Sequence, residues 1–296
     1  MSTVTTRLCI ILLSFIVSLG IYPFIQCRRV FIPIMFRILL FIGLFLPSVT
    51  QAGLEVGIGG AVTNVPHYIG SDEAETYYLP FPYLRYRSDK ITIDRNLIQG
   101  NLWRKGNWSL ELSLGGSIKV DSEKSEARKG MDDLDFILEA GPALHYYFLG
   151  DRTQDNALFM EFPVRLAMST DFTGAGYEGY SFNPRLVWRR GYLIDGYELR
   201  PQVSLGLRSA DARYHDYFYG VEQVFVTPDR SEYSGASGYG GIQFNYSTAV
   251  LWENWLAAGF MRYVNAKGAA FEDSSLFKQD ENWVFGFAVA YLFADE

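Results

Sequence analysis

Nine charged residues recur at positions that alternate with large apolar ones: Glu111, Glu139, Glu161, Arg165, Arg185, Arg189, Glu198, Arg200 and Arg208. On an extended chain successive side chains point to opposite sides, so residues two apart share a face. The nine therefore fall on the polar side of strands whose other side is greasy. Two kinds of chemistry suit such a row. Carboxylates and guanidiniums on facing strands can pair across a narrow interior, or a ring of charge can select among ions in a small pore. Mixed signs favour structural pairing, because a filter for one class of ion tends toward one sign.

Three histidines, His67, His145 and His215, are the other candidates for proton chemistry. The run Tyr214-His215-Asp216-Tyr217 looks like an acid/base pair. On an extended chain, however, neighbouring side chains diverge, so this imidazole and carboxylate would rarely meet. A general base also needs a nucleophile or activated water in reach, and the sequence identifies neither. It contains no P-loop, dinucleotide fingerprint, zinc spacing or Gly-x-Ser-x-Gly elbow. It thus assigns no catalytic, cofactor-binding or metal-binding residue and points to a protein that is not an enzyme. A barrel-embedded hydrolase using His215 and Asp216 is the least favoured reading.

The elements that must carry the charged row are legible in the stretch Trp283 to Phe293. One face reads Trp283, Phe285, Phe287, Val289, Tyr291, Phe293; the other reads Val284, Gly286, Ala288, Ala290, Leu292. One side is bulky and greasy, the other mostly small. A lipid-facing surface backed by a crowded barrel interior has this form, whereas an edge strand so apolar would aggregate in water. The same period recurs from Leu54 onward. Trp108, Leu110, Leu112 and Leu114 oppose Ser109, Glu111 and Ser113, and Leu158, Met160, Phe162, Val164, Leu166 and Met168 oppose Glu161 and Arg165. Ile118 and Val120 extend the greasy face of the first of these, and Leu134 and Phe136 open that of the strand ending at Leu149. Aromatics make up 16% of the chain, and Tyr and Trp in such numbers suit bilayer interfaces. After residue 52 no run of about 18 apolar residues appears, which excludes a helical membrane protein there. The fold expected is all-β, an antiparallel transmembrane β-barrel.

The N-terminus is organised differently. Leu8 to Ile25 and Val30 to Val49 are strongly apolar, with Arg28 and Arg29 between them. Two membrane helices are one reading. The favoured one is a secretory signal starting at Met35, with Arg37 as its basic residue, an apolar core from Ile38 to Leu46, Pro47, and a small-residue cleavage context ending at Ala52. Residues 1–52 are then leader and signal peptide, and 53–296 the barrel. Both cysteines, Cys9 and Cys27, lie in the leader, so the mature chain needs no disulfide. Of the 26 basic residues four are lost with it, leaving 22 against 33 acidic ones, a net charge of −11. That balance argues against nucleic acid as a partner, because phosphate binding relies on basic surface.

Counting apolar alternations gives eleven strands when Ile91 to Arg104 is one piece. A bacterial barrel with both ends on one side needs an even number. Long and short connections alternate except around this piece, and splitting it at Asp94-Arg95-Asn96 restores the alternation with twelve strands. Ten, with one hairpin outside the membrane, is the alternative. Pro80 and Pro82 lie two apart in the aromatic strand Tyr77 to Arg87, so both missing donors face one side and the strand is expected to be bulged or locally unpaired.

Several stretches in order carry a resemblance. GIGGAVTNVPHYIGSDEAETYYLPFPYLRYRSDKITID from Gly57 is followed by LEAGPALHYYF from Leu138, FPVRLAM from Phe162, SFNPRLVW from Ser181, RSADARYHDYFYGV from Arg208, and a last strand of Tyr-x-Phe type. The set resembles the MipA/OmpV family of Gram-negative outer-membrane proteins and covers nearly all of the mature chain. The resemblance implies a cell outer-membrane barrel that acts as an envelope scaffold. Its partners would be a murein lytic transglycosylase and a penicillin-binding murein synthase, besides outer-membrane lipid and the barrel assembly machinery. A small-solute pore or an adhesin-like porin at the surface is the alternative it also implies. It carries over no catalytic residue and no cofactor, and it favours a folded loop over a site at Tyr214 to Tyr219.

The strand at Trp283 is then the closing strand, with Phe285, Phe287, Tyr291 and Phe293 as the aromatic signal read during assembly. Ala294-Asp295-Glu296 extend past it as a short periplasmic tail. Removing those three residues is expected to leave heat-modifiable electrophoretic migration intact, while Phe293→Ala slows assembly. The opposite pattern on gels would refute this assignment.

Overall fold

The computed structural model describes residues 53–87, 91–94 and 97–293. The leader, the proposed start at Met35, the turn at 88–90, the split at residues 95 and 96 and the tail 294–296 lie outside the described residues. Strands β1 (Gly53–Pro66), β2 (Ala74–Arg87), β3 (Ile91–Asp94), β4 (Leu97–Lys105) and β5 (Trp108–Ser117) come first. They are followed by β6 (Phe136–Leu149), β7 (Ala157–Thr170), β8 (Ala175–Phe182), β9 (Arg185–Arg189) and β10 (Tyr192–Ile194). Then come β11 (Tyr197–Leu199), β12 (Gln202–Ala210), helix α1 (Ala212–Tyr219), β13 (Gly238–Trp252), β14 (Trp255–Asn265) and β15 (Glu281–Phe293).

The described strands form one antiparallel sheet whose pairings run in a ring. From β13 they pass through β14, β15, β1 and onward to β7. From there β8 and β9 together reach β12, which pairs back to β13 from Gln202↔Ser247 to Ala210↔Gly238. β8 to β10 make one pass across the wall, β11 and β12 another, so the fifteen segments trace twelve antiparallel passes. The ring of pairings leaves one long gap among the described strands, along the edge of β2 that faces β3; elsewhere the wall strands are paired as lipid requires. β15 closes on β1 in uninterrupted register from Val56↔Phe293 to Asn64↔Phe285. Phe285, Phe287, Tyr291 and Phe293 stand on its exposed side, where Trp283 stacks on Phe285 and Tyr291 meets Phe293 edge to face. The small side of β15 faces in. A Cβ on Gly286 would meet the Phe260 ring at 2.1 Å, so a larger residue there would have to displace that ring.

The two prolines of β2 produce no bulge. Pro80 and Pro82 sit opposite Gly60 and Ile58 in unbroken register with β1. Their donorless nitrogens therefore face the other edge, where a missing N–H costs nothing only if no strand asks for it. That edge meets β3 at Tyr86↔Ile93 and Arg87↔Thr92, and no other described strand pairs with it. The expected local unpairing is found; the bulge is not. β3 and β4 form a short hairpin beside the end of β2 that carries Arg87.

The lipid-facing band is shorter than the alternation suggests at one end. Val120 and Leu134, expected on the greasy face, lie beyond the wall, pair with each other and are buried under loops. Phe136 is buried too, with its ring 5.4 Å from that of Phe172. A period of two reports which side a residue points to, and only the loops decide what covers that side.

Those loops form a cap. Segments 67–73, 118–135, 211–237 and 266–280 all lie at the same end and share one buried core, in which Tyr68, Val120, Leu134, Tyr214, Phe218, Tyr219, Phe271 and Leu276 meet. Tyr219 stacks on Phe271 with centroids 3.7 Å apart. Polar ties cross between loops: the hydroxyl of Tyr68 donates to the Leu276 carbonyl at 2.8 Å, that of Tyr219 to the Ile69 carbonyl at 2.7 Å, and Arg128 Nη1 to the Phe218 carbonyl at 3.1 Å. Helix α1 starts where the Asp211 side chain accepts from the Tyr214 amide, a short polar cap on free N–H groups. The extended chain assumed for Tyr214 to Tyr219 is thus corrected to a helix. His215 and Asp216 still diverge: His215 Nδ1 meets the Ala236 carbonyl at 2.6 Å, and Asp216 accepts from the Gly235 amide at 2.7 Å.

Burial in the cap holds the His215 pKa below its ordinary value, against the opposing pull of the Ala236 hydrogen bond. The unfolded chain takes up a proton near pH ~6.5 while the folded cap resists it, so stability falls as pH drops below about 6.5. Hydrogen exchange in α1, corrected for intrinsic rates, should accelerate from about pH 7.5 to 5.5. His215→Asn should flatten that dependence, and equal acceleration in the variant would assign it to another group.

Candidate functional site

The inward face of the wall from β5 to β9 holds a connected set of buried polar groups. Glu139, Glu111, Glu161, Arg165 and His145 are each under 10% exposed. Isolated charges at such positions would be prohibitive, so their partners carry the explanation. Glu139 of β6 faces Arg165 of β7 at 3.6 Å and accepts from Ser181 at 2.9 Å. Arg165 also donates to Ser113 Oγ through Nε at 2.9 Å and Nη2 at 2.8 Å. Glu161 takes a two-pronged bond from Arg185, Nε to Oε2 at 2.7 Å and Nη2 to Oε1 at 3.0 Å, the strong geometry for this pair. The register explains the match, since Glu161 and Arg185 are directly opposite each other on β7 and β9.

Glu111 is different. It receives Ser109 Oγ at 3.0 Å and the Tyr147 hydroxyl at 3.5 Å, with His145 Nδ1 at 3.6 Å and, among the described residues, no arginine within ion-pair distance. The His145 ring stacks on Phe159 at 5.3 Å and lies between Glu111 and Glu161. The remaining members of the row disperse. Glu198 and Arg200 pair with each other along one edge of the wall, near the end where β10 and β11 turn. Arg189 donates to the carbonyls of Asp151 and Arg152 at 2.9 and 2.8 Å and so braces the 150–156 turn. Arg208 Nη1 donates to Gln243 Oε1 at 2.8 Å. The row expected as one network is therefore a paired core with three separate outliers.

Two contributors were not legible as site residues. Tyr214 of α1 reaches down from the cap and donates to Glu139 Oε1 at 2.7 Å, tying the plug to the wall charges. Nothing in its loop sequence announces that contact. Arg262 lies on the inward side of β14, in register with Asn245 of β13 and donating to its Oδ1 at 3.0 Å. It escapes the alternation because small residues, Ala257, Ala258 and Gly259, blur the two faces of that strand. The available signal was its being the one charged residue in Trp255–Asn265.

The interior is packed on one side and wetted on the other. Phe260 and Arg262 point inward from β14, yet Phe260 is 41% exposed and Arg262 is exposed as well. Chemically, the arrangement can hold charge and bind polar solutes. It brings together no nucleophile, base and orienting group in the order that covalent catalysis uses.

Breaking the Glu161–Arg185 pair leaves a half-buried guanidinium unmatched. Glu161→Gln should cost about 3 kcal/mol, the low end for a buried pair because Arg185 keeps some water contact. Arg200→Gln at the rim should cost under ~1 kcal/mol. Urea midpoints of the refolded, heat-modifiable form compare the two; equal losses would show that the lumen pair carries no special weight.

A family model described as MltA-interacting protein MipA matches residues 58–293. No curated protein matches the chain. Among solved structures, the high-pH form of Pseudomonas putida OprB is 8% identical, covering 82% of this chain and 94% of its own, with a TM-score of 0.26. A double mutant of Rh. blastica porin is 11% identical, covering 82% and 100%, with a TM-score of 0.15. Superpositions this loose say nothing about the site, and the fold stands on its own strand pairings.

Proposed function

The chain belongs to the MltA-interacting protein MipA family, and on that premise we propose that it is a non-enzymatic scaffold of the Gram-negative outer membrane. Residues 1–52 deliver it as leader and signal peptide, and residues 53–296 form the barrel. The assembly machinery reads the aromatic side of β15, with Phe285, Phe287, Tyr291 and Phe293. The glutamate and arginine pairs of the lumen hold the wall rigid. Murein-remodelling enzymes, a lytic transglycosylase and a penicillin-binding synthase, are the partners that the family description and the resemblance suggest.

The observation that carries this reading is the β10–β11 hairpin. It lies at the end opposite the cap, among the short turns. Leu193 is in register with Glu198 and so on the inward side, yet it is 78% exposed. Exposure well beyond that of the inward Phe260, at 41%, fits a hairpin that rises past the rim. Ile194 and Tyr197 are exposed beside it. The lumen does not cover Leu193, and an exposed apolar side chain there suits a protein partner at the end of the barrel where the short turns lie.

Affinity capture from detergent extracts of envelopes is expected to recover a transglycosylase or a murein synthase with the native bait. Leu193→Asp should reduce recovery at least five-fold while heat-modifiable folding persists. Failure of a working native bait sinks the scaffold role; undiminished capture by the variant moves the contact elsewhere.

The wetted side of the lumen supports a second reading, a small-solute pore. Discrete conductance steps in planar bilayers are its expected sign, and their absence counts against it.

A further inference from the structure

Arginines project into the lumen from both sides, but away from the Glu198–Arg200 pair at the rim those of the β12–β14 wall are not answered by carboxylates. Arg165 and Arg185 are matched by Glu139 and Glu161. On the wall built by β12, β13 and β14, Arg208 and Arg262 have no carboxylate within 4.0 Å among the described residues. What they have is a ladder of neutral groups. Arg208 Nη1 donates to Gln243 Oε1 at 2.8 Å, and Gln243 Nε2 donates to Asn245 Oδ1 at 3.0 Å. Arg262 Nε donates to that same oxygen at 3.0 Å, and Asn245 Nδ2 passes on to Ser204 Oγ at 2.9 Å.

The ladder consumes both carboxamide oxygens and orients both guanidiniums without neutralising either. Each guanidinium carries about five N–H donors, and each has a single one engaged with the ladder. A positive group inside low-dielectric walls focuses its field on the space in front of it. That space is reachable: Arg262 is exposed together with Phe260, two residues before it on the same face. A planar fork with free donors in a wetted recess matches the paired oxygens of a carboxylate or phosphate.

We propose that Arg208 and Arg262 on the β12–β14 wall form a binding site for small oxyanionic solutes, with the Gln243–Asn245 ladder as its positioning frame. The site goes beyond the scaffold reading and does not depend on it, nor does it require that the lumen conduct.

The test uses the full refolded chain in detergent, with inorganic phosphate as the probe and chloride holding ionic strength constant. Phosphate is expected to raise the unfolding midpoint of the native protein. Arg262→Gln should weaken the apparent affinity at least five-fold, as should Arg208→Gln, while Arg200→Gln leaves it unchanged. No phosphate dependence in the native protein, or the same dependence in both lumen variants, overturns the proposal. Should those variants fail to refold, phenylglyoxal labelling of the native protein decides. Phosphate should protect the peptide bearing Arg262 and not the one bearing Arg190; equal labelling of Arg262 with and without phosphate overturns the assignment.

Discussion

A chain that crosses lipid has no water to satisfy its peptide groups, so each wall strand must find a ladder partner on both sides. That requirement closes the sheet through β12 and β13 and through β15 and β1, and the rest of the molecule is arranged around the ring it produces. It also explains the local exception. β2 can carry Pro80 and Pro82 because its donorless edge is the one that meets only the short β3.

Closure creates an interior, and the interior imposes its own balance. Between β5 and β9 the carboxylates Glu139 and Glu161 are buried, and they are paired with guanidiniums and braced by serines. Between β12 and β14 the lumen side is wetted, and arginines persist with carboxamides as their only described partners. The difference is physical. A dry charge must be matched, whereas a charge that keeps water can stay open to a ligand.

The two ends of the barrel are equally unlike. Four loops build a buried aromatic core at one end and anchor it to the wall through Tyr214 and Glu139, which suits a closed, rigid face. The other end has short turns and the β10–β11 hairpin, on which Leu193, Ile194 and Tyr197 are exposed. A scaffold reading and an anion site draw on different parts of this architecture, the hairpin and the wetted wall, so they can stand or fall separately.

Much of the wall was legible in the sequence because a period of two, repeated with the large residues on one side, admits few structures. The greasy faces of β7 and β15, the inward placement of Glu111, Glu139, Glu161 and Arg165, and the twelve-pass count all follow from that period and the rhythm of the connections. Where the period failed, the causes are identifiable. Val120 and Leu134 keep the alternation but leave the wall, since alternation cannot report what a loop lays over a side chain. Tyr214 to Tyr219 folds as a helix because Asp211 caps it and the neighbouring loops bury its aromatic side. Arg262 was hidden by small neighbours on both faces. The sequence by itself determined which side each strand residue takes, a local property of the extended backbone; only the tertiary structure decided which charges meet, because pairing depends on register between strands far apart in the chain.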